Sequence, residues 1–87
     1  MNISSTKSMT GHLLGAAAAV EIVATVLSVK NDTIPPTINH FTDDPAIDNA
    51  LNFTYHKAAK RTVNFALSNS FGFGGHNTCI AVKKYHV

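Results

Sequence analysis

The sequence predicts an α/β fold in which one long buried helix is followed by an antiparallel hairpin. Three observations carry this. Residues 12–30 form an apolar run rich in alanine, leucine and valine. Residues 62–71 alternate with period two, and the glycine-rich Gly72-Phe-Gly-Gly75 then leads into a second β-prone stretch at 77–83.

Each element has its own warrant. Asn2–Ser5 reads as the end of a strand, and the small polar residues after it read as a loop. Thr10 stands where an N-cap would open a helix over 12–30. The polar exceptions in that helix, Glu21, Thr25 and Ser28, make only a thin stripe, so it is either a core helix or a membrane span. The apolar run falls short of the about 18–20 residues a span needs, and Glu21 at its middle is costly in lipid, which favours a buried helix. Lys30, Asn31 and Asp32 end it, the cation sitting at the carbonyl end. Ile34-Pro-Pro-Thr37 is extended, because a residue before proline is pushed out of the α region. Phe41–Ala50, with Asp43, Asp44, Pro45 and Asp48, reads as an irregular loop, and Leu51–Tyr55 as a short edge strand. In 62–71, Val63, Phe65, Leu67, Asn69 and Phe71 share one face; Asn64, Ala66, Ser68 and Ser70 share the other.

Composition sharpens the picture. The chain has 87 residues, 45% hydrophobic and only 14% charged, against about 25% charged in ordinary soluble domains. Disorder is excluded. A chain this short buries only about 60–65% of its unfolded surface, so a helix needing cover on every side points to a further layer of protein. The net charge of +2 shows no basic stripe and no nucleic-acid module. Lys57, Lys60, Arg61, Lys83 and Lys84 are either solvated turns or a rim for an acidic partner. The polar residues 2–12 ahead of the apolar run do not open as a signal peptide does. Cys79 alone excludes an intrachain disulfide, fits a reducing compartment, and reads as a buried, inert thiol. His12, His40, His56, His76 and His86 lack zinc-site spacing, so no metal is expected.

Two polar, glycine-containing segments are candidates for chemistry. In Lys7-Ser-Met-Thr-Gly-His12, the imidazole would sit at the helix N-terminus, where the dipole disfavours its charged form. A neutral His12 could donate a hydrogen bond to a carbonyl oxygen, or could simply cap or pack. Glu21, inside an apolar helix, needs a cation, and Lys7 is a candidate partner; the pair is structural or part of a site. The Gly72–Gly75 turn lacks the spacing and following helix of a nucleotide cradle. Its glycines permit close backbone approach to a ligand oxygen beside Phe71 and Phe73, or else form a plain hairpin.

Three segments together resemble a known family: Ser4-Ser-Thr-Lys-Ser-Met-Thr-Gly-His-Leu-Leu-Gly-Ala-Ala17 continuing to Glu21, Pro35-Pro-Thr-Ile-Asn39, and Ser68-Asn-Ser-Phe-Gly-Phe-Gly-Gly75. They look like the C-terminal end of a β-ketoacyl-acyl carrier protein synthase, closest to type II, over essentially the whole chain. The resemblance implies that residues 1–87 are an incomplete C-terminal portion of that enzyme's C-terminal domain, within a thiolase-like αβαβα sandwich. It implies a cytoplasmic acyltransferase of fatty acid synthesis, catalysing decarboxylating Claisen condensation of malonyl-acyl carrier protein with an acyl thioester. It implies no cofactor beyond the phosphopantetheine thioesters that are substrates, acyl carrier protein as partner, a homodimer, and neither nucleic acid nor membrane. By position, His12 matches the second histidine of a Cys-His-His triad, Lys7 the active-site lysine and Glu21 the glutamate that holds it. Phe73 matches a gating residue whose N–H serves the oxyanion hole, with Phe71 and Gly74 also at the substrate. Glu21 and Asn69 match positions near a monovalent cation in some relatives. His76 departs from a common threonine beyond the gate. The nucleophilic cysteine and first histidine match nothing in these residues, and Cys79 is wrongly placed to substitute. The 87 residues alone are therefore expected to be catalytically silent. A non-catalytic ketosynthase-like partner subunit and a polyketide ketosynthase segment are the alternative readings; an independent binding module fits poorly with an uncovered helix.

Overall fold

The apolar run becomes α-helix only from Ala17. In the computed structural model, which describes residues 1–48 and 50–85, a single helical turn, α1 (Lys7–Thr10), comes first, then a 3₁₀ turn at Leu14–Ala16, then α2 (Ala17–Asn31). The expected start at residue 12 is corrected by the backbone. Gly11 (φ 74°) and Leu14 (φ 52°) both have positive φ, which α-helix excludes. Thr10 is correspondingly not the N-cap. Its hydroxyl bonds back to the Thr6 and Gly11 carbonyls, and α2 begins behind Ala16 without a side-chain cap. His86, one of the histidines weighed above, lies outside the described residues.

Asp32 ends α2 in the left-handed conformation, its N–H returning to the Ser28 carbonyl. Its carboxylate then ties the helix end to the hairpin. Oδ1 accepts from Lys84 Nζ at 2.5 Å and from the Val63 N–H at 3.0 Å, and its carbonyl accepts the Arg61 N–H at 3.1 Å. The Lys84 hydrogen bond, then that of Val63, hold the Asp32 carboxyl below its ordinary value. Such a group adds stability above the usual carboxylate range and loses it as pH falls through its lowered folded value. Two of the five clustered cations are thus engaged within the chain: Lys84 here, and Arg61 with Asn2 Oδ1 at 2.6 Å.

β1 (Thr33–Ile34) pairs antiparallel with β2 (Ala59–Lys60). The expected strand over 51–55 is instead two isolated parallel bridges, Asn2 with Asn52 and Thr37 with Tyr55. Thr54, buried and at φ 55°, breaks the extended conformation between them. The 41–50 loop is irregular as expected, with Asp44 and Asp48 carboxylates accepting the N–H groups of Ala46 and Ala50. The hairpin forms as read, with tighter bounds: β3 (Phe65–Gly72) pairs antiparallel with β4 (His76–Lys83), Phe65 opposite Lys83 and Gly72 opposite His76. It starts later than residue 62 because Asp32 captures the Val63 N–H.

α2 packs along both β3 and β4. Along β3 only Ala66, Ser68 and Ser70 are half-buried; Phe65, Leu67 and Phe71 are exposed. Small side chains let the helix approach, and the bulky face is left uncovered. Cys79 on β4 is exposed rather than buried, like every residue of that strand from His76 to Ala81. Within α2 only Ala17 and Val29 are buried, and Val23 remains 58% exposed. Residues 14–31 are long and apolar enough to cross a membrane, with mean hydropathy 1.4. The accessible surface is 6525 Å², against about 5,000 Å² for a compact monomer of this mass.

An excess of about 1,500 Å² is roughly twice what one partner contributes to a standard protein interface. We expect the isolated 87-residue chain to bind 1-anilinonaphthalene-8-sulfonate and to melt without a sharp transition. A cooperative melt with no dye binding would contradict the uncovered-layer reading.

Candidate functional site

The site is built around α1. This turn is too short to hold itself, since a four-residue helix has barely passed the unfavourable nucleation step. One anchor is electrostatic. Lys7 Nζ on α1 forms an ion pair with Glu21 Oε1 on α2, as the isolated acid in an apolar helix led us to expect. The carboxylate is the more buried partner, its side chain 16% exposed against 38% for Lys7. Removing the lysine would leave a largely desolvated charge unpaired.

His12 follows four residues after Ser8, in the bend between α1 and the 3₁₀ turn. It stands two residues ahead of the 3₁₀ turn that runs directly into α2, rather than on the first turn of α2 itself. A backbone contact fixes the ring. The Leu14 N–H donates to His12 Nδ1 at 3.1 Å. Nδ1 is therefore an acceptor, and the ring's remaining N–H is on Nε2. The exposed ring can donate that N–H to a carbonyl oxygen.

Lys7, Glu21 and Asn69 line one cleft of about 810 Å³ between the N-terminal segment, α2 and β3. His12, Phe71, Phe73 and Gly74 lie outside its lining. Phe73 stands at the tip of the hairpin, 103% exposed, in a turn where Gly74 (φ 85°) and Gly75 (φ 84°) are both left-handed. Phe71 is exposed at the end of β3. The two expected parts of the site, the His12 bend and the phenylalanine-bearing turn, are both exposed. Glu21 and Asn69 share the cleft, but Lys7 already occupies Glu21 Oε1. Among the described residues no three His, Cys, Asp or Glu side chains are grouped as a metal site.

Sequence reasoning missed a second anchor on α1. Ser4 Oγ donates to the Pro35 carbonyl (2.6 Å), the Ser5 N–H to Thr37 Oγ1 (2.9 Å), the Ile38 N–H to Ser8 Oγ (2.9 Å), and Asn39 Nδ2 to the Ser8 carbonyl (3.2 Å). The partners are about thirty residues apart, and no local periodicity reports such pairing. The one local signal is Asn39, at φ 64°, a residue type that tolerates the left-handed region.

Known proteins bear on this arrangement. Residues 1–41 match the model for the β-ketoacyl synthase C-terminal domain. The 3-oxoacyl-acyl-carrier-protein synthase 2 of Synechocystis sp. is 53% identical over 83 residues, 95% of this chain and 20% of that protein. Over nearly its whole length the chain is similar to β-ketoacyl synthases. The synthase 2 proteins of Rhizobium meliloti and Staphylococcus aureus are 46% and 45% identical, each over 98% of this chain and 20% of the relative. Among solved structures, a type II polyketide synthase acyl-carrier protein in complex with its ketosynthase matches at TM-score 0.90 and 37% identity, over 99% of this chain and 21% of the matched one. The ishigamide ketosynthase/chain length factor matches at TM-score 0.88 and 36% identity, over 95% and 20%. These neighbours place the helix and hairpin in the thiolase-like α/β fold. The chain spans about a fifth of the length of the synthases it matches, which accounts for the open faces of α2 and the hairpin.

Within a β-ketoacyl synthase built this way, the bend depends on Gly11. Its φ of 74° and ψ of 179° lie in a region that is essentially glycine-only, yet no atom lies within 4 Å of where a Cβ would stand. Gly11→Ala should therefore cost about 1–3 kcal/mol through backbone strain alone and displace His12. Substituting these 87 residues for the matching segment of the Synechocystis synthase gives a chimera in which to measure it, by melting temperature and malonyl decarboxylation. A Gly11→Ala chimera equal to its parent in both would contradict the strained bend.

Proposed function

We propose that these residues form one portion of the C-terminal domain of a 3-oxoacyl-acyl-carrier-protein synthase, supplying part of the site that condenses malonyl-acyl carrier protein with an acyl thioester. The observation that carries this reading is the seating of His12, with Nδ1 committed to the Leu14 N–H and Nε2–H free to donate. Identities of 45–53% to synthase 2 proteins, against 36–37% to the two ketosynthase structures, favour fatty acid elongation over polyketide assembly.

In this role His12 donates to the malonyl thioester carbonyl. As the carboxylate bond breaks and CO₂ leaves, the electron pair passes into the enolate, whose oxygen the Nε2–H stabilises. The enolate carbon then attacks an acyl thioester on a cysteine that lies outside these residues, and the thiolate departs. Lys7 and Glu21 hold α1 and place a cation beside the cleft. Phe73, with Phe71 and Gly74, lies at the acyl entrance, its exposed turn acting as the gate. Acyl carrier protein as partner, a homodimeric full-length enzyme and a cytoplasmic setting belong to the same proposal. One solved neighbour is described as a ketosynthase in complex with its acyl-carrier protein, which supports the partner. Retention of Lys7, His12 and Glu21 together favours a catalytic chain over a non-catalytic partner subunit.

Loss of one oxyanion-type donor costs about 10²–10³-fold in rate. In the chimera, His12→Ala should reduce malonyl decarboxylation by at least that factor while radiolabelled acyl transfer to the cysteine stays detectable. Equal loss of both steps would contradict the role assigned to His12.

A further inference from the structure

We infer that Ser8 is a positioning residue for His12, clasping the α1 turn to residues 37–39 so that the imidazole meets its substrate in one orientation; this rests on the condensing role proposed above. α1 has four side chains. Met9 is exposed, and the Thr10 hydroxyl bonds only to its own neighbourhood, at the Thr6 and Gly11 carbonyls. Among the described residues, only the Lys7 and Ser8 side chains of α1 hydrogen-bond to distant parts of the chain. Lys7 fixes one edge of the turn on α2, but a single long, flexible lysine leaves the turn free to pivot about that contact.

Ser8 removes the pivot. Its hydroxyl accepts the Ile38 N–H at 2.9 Å and donates to the Ser5 carbonyl at 2.8 Å, while its carbonyl accepts Asn39 Nδ2 at 3.2 Å. One residue thus uses both its side chain and its main chain to join two distant segments. Asn39 is itself held at φ 64°, and the neighbouring Ser5 N–H bonds to Thr37 Oγ1, so the receiving segment is fixed as well. The bend that follows has positive φ at both Gly11 and Leu14, on either side of His12. Backbone of that kind persists only where its surroundings over-determine it. α1 is the turn immediately before the bend, and Ser8 ties it to residues 38 and 39 while Lys7 ties it to Glu21.

The test is a set of variants in the chimera described above. Displacement of a reacting group by about 1 Å can cost up to about 10²-fold. Ser8→Ala is expected to lower kcat for malonyl decarboxylation roughly tenfold, with KM for the malonyl thioester and the rate of cysteine acylation little changed. Ser8→Thr, which keeps the hydroxyl, is expected to restore most of the loss. Asn39→Ala leaves the hydroxyl bonds in place and is expected to give a smaller drop with the same split. It also decides the matter if Ser8→Ala does not fold. An unchanged kcat in both alanine variants, or decarboxylation and acylation falling in parallel, would overturn the inference. His12→Ala run alongside separates the two claims. If it decarboxylates like the parent, the functional reading fails; if it is silent while Ser8→Ala is fully active, only the clasp fails.

Discussion

The arrangement depends on one ion pair. Glu21 lies in the second turn of α2 among largely apolar residues, and a carboxylate there must be matched. Lys7 matches it from a four-residue turn that has no packing of its own and no buried residue. The pair therefore fixes the start of the chain against α2. Together with the Ser8 bonds to Ile38 and Asn39, this sets where the Gly11–Leu14 bend, and with it His12, stands. Sequence distance makes this economical: fourteen residues separate the two charges, and the glycine bend closes the gap between them.

The second constraint is the shape of the hairpin. Alanine and serines on one face of β3 admit α2 closely, which puts the phenylalanines and Leu67 on the other face. Burial of those side chains needs another layer, as does the outer side of α2. A radius of gyration of 13.6 Å, against about 12 Å for a compact domain of this length, says the same in another way. The relatives supply the reason, because each is about five times longer than this segment.

Much of this was legible in the residues. The hairpin was, because period-two alternation and a glycine turn are local signals. So was the Lys7–Glu21 pair, because an acid in an apolar helix has few ways to be satisfied. The first turn of the helix was not. Apolar pattern continues smoothly through Leu13 and Leu14, and gives no sign of the positive φ values at Gly11 and Leu14 that break the helix. The exposure of Cys79 was misjudged because apolar neighbours in sequence report what a strand face wants, not what covers it. The Ser8 clasp and the Asp32 tie to Lys84 were invisible for a different reason: their partners lie thirty to fifty residues away. For the site, the candidate residues could be named from type and spacing, but the fixing of His12 through Nδ1 required the structure.

A double-mutant cycle on the ion pair tests the central claim most directly. Lys7→Met, Glu21→Gln and the double variant would be compared in the chimera by unfolding free energy and by malonyl decarboxylation rate. If the pair anchors the site, each single change should be costly and the double change little worse than the worse single, giving a coupling of about 1–3 kcal/mol. Strictly additive losses, or singles that decarboxylate at the parent rate, would show that α1 and His12 are held by something other than this pair.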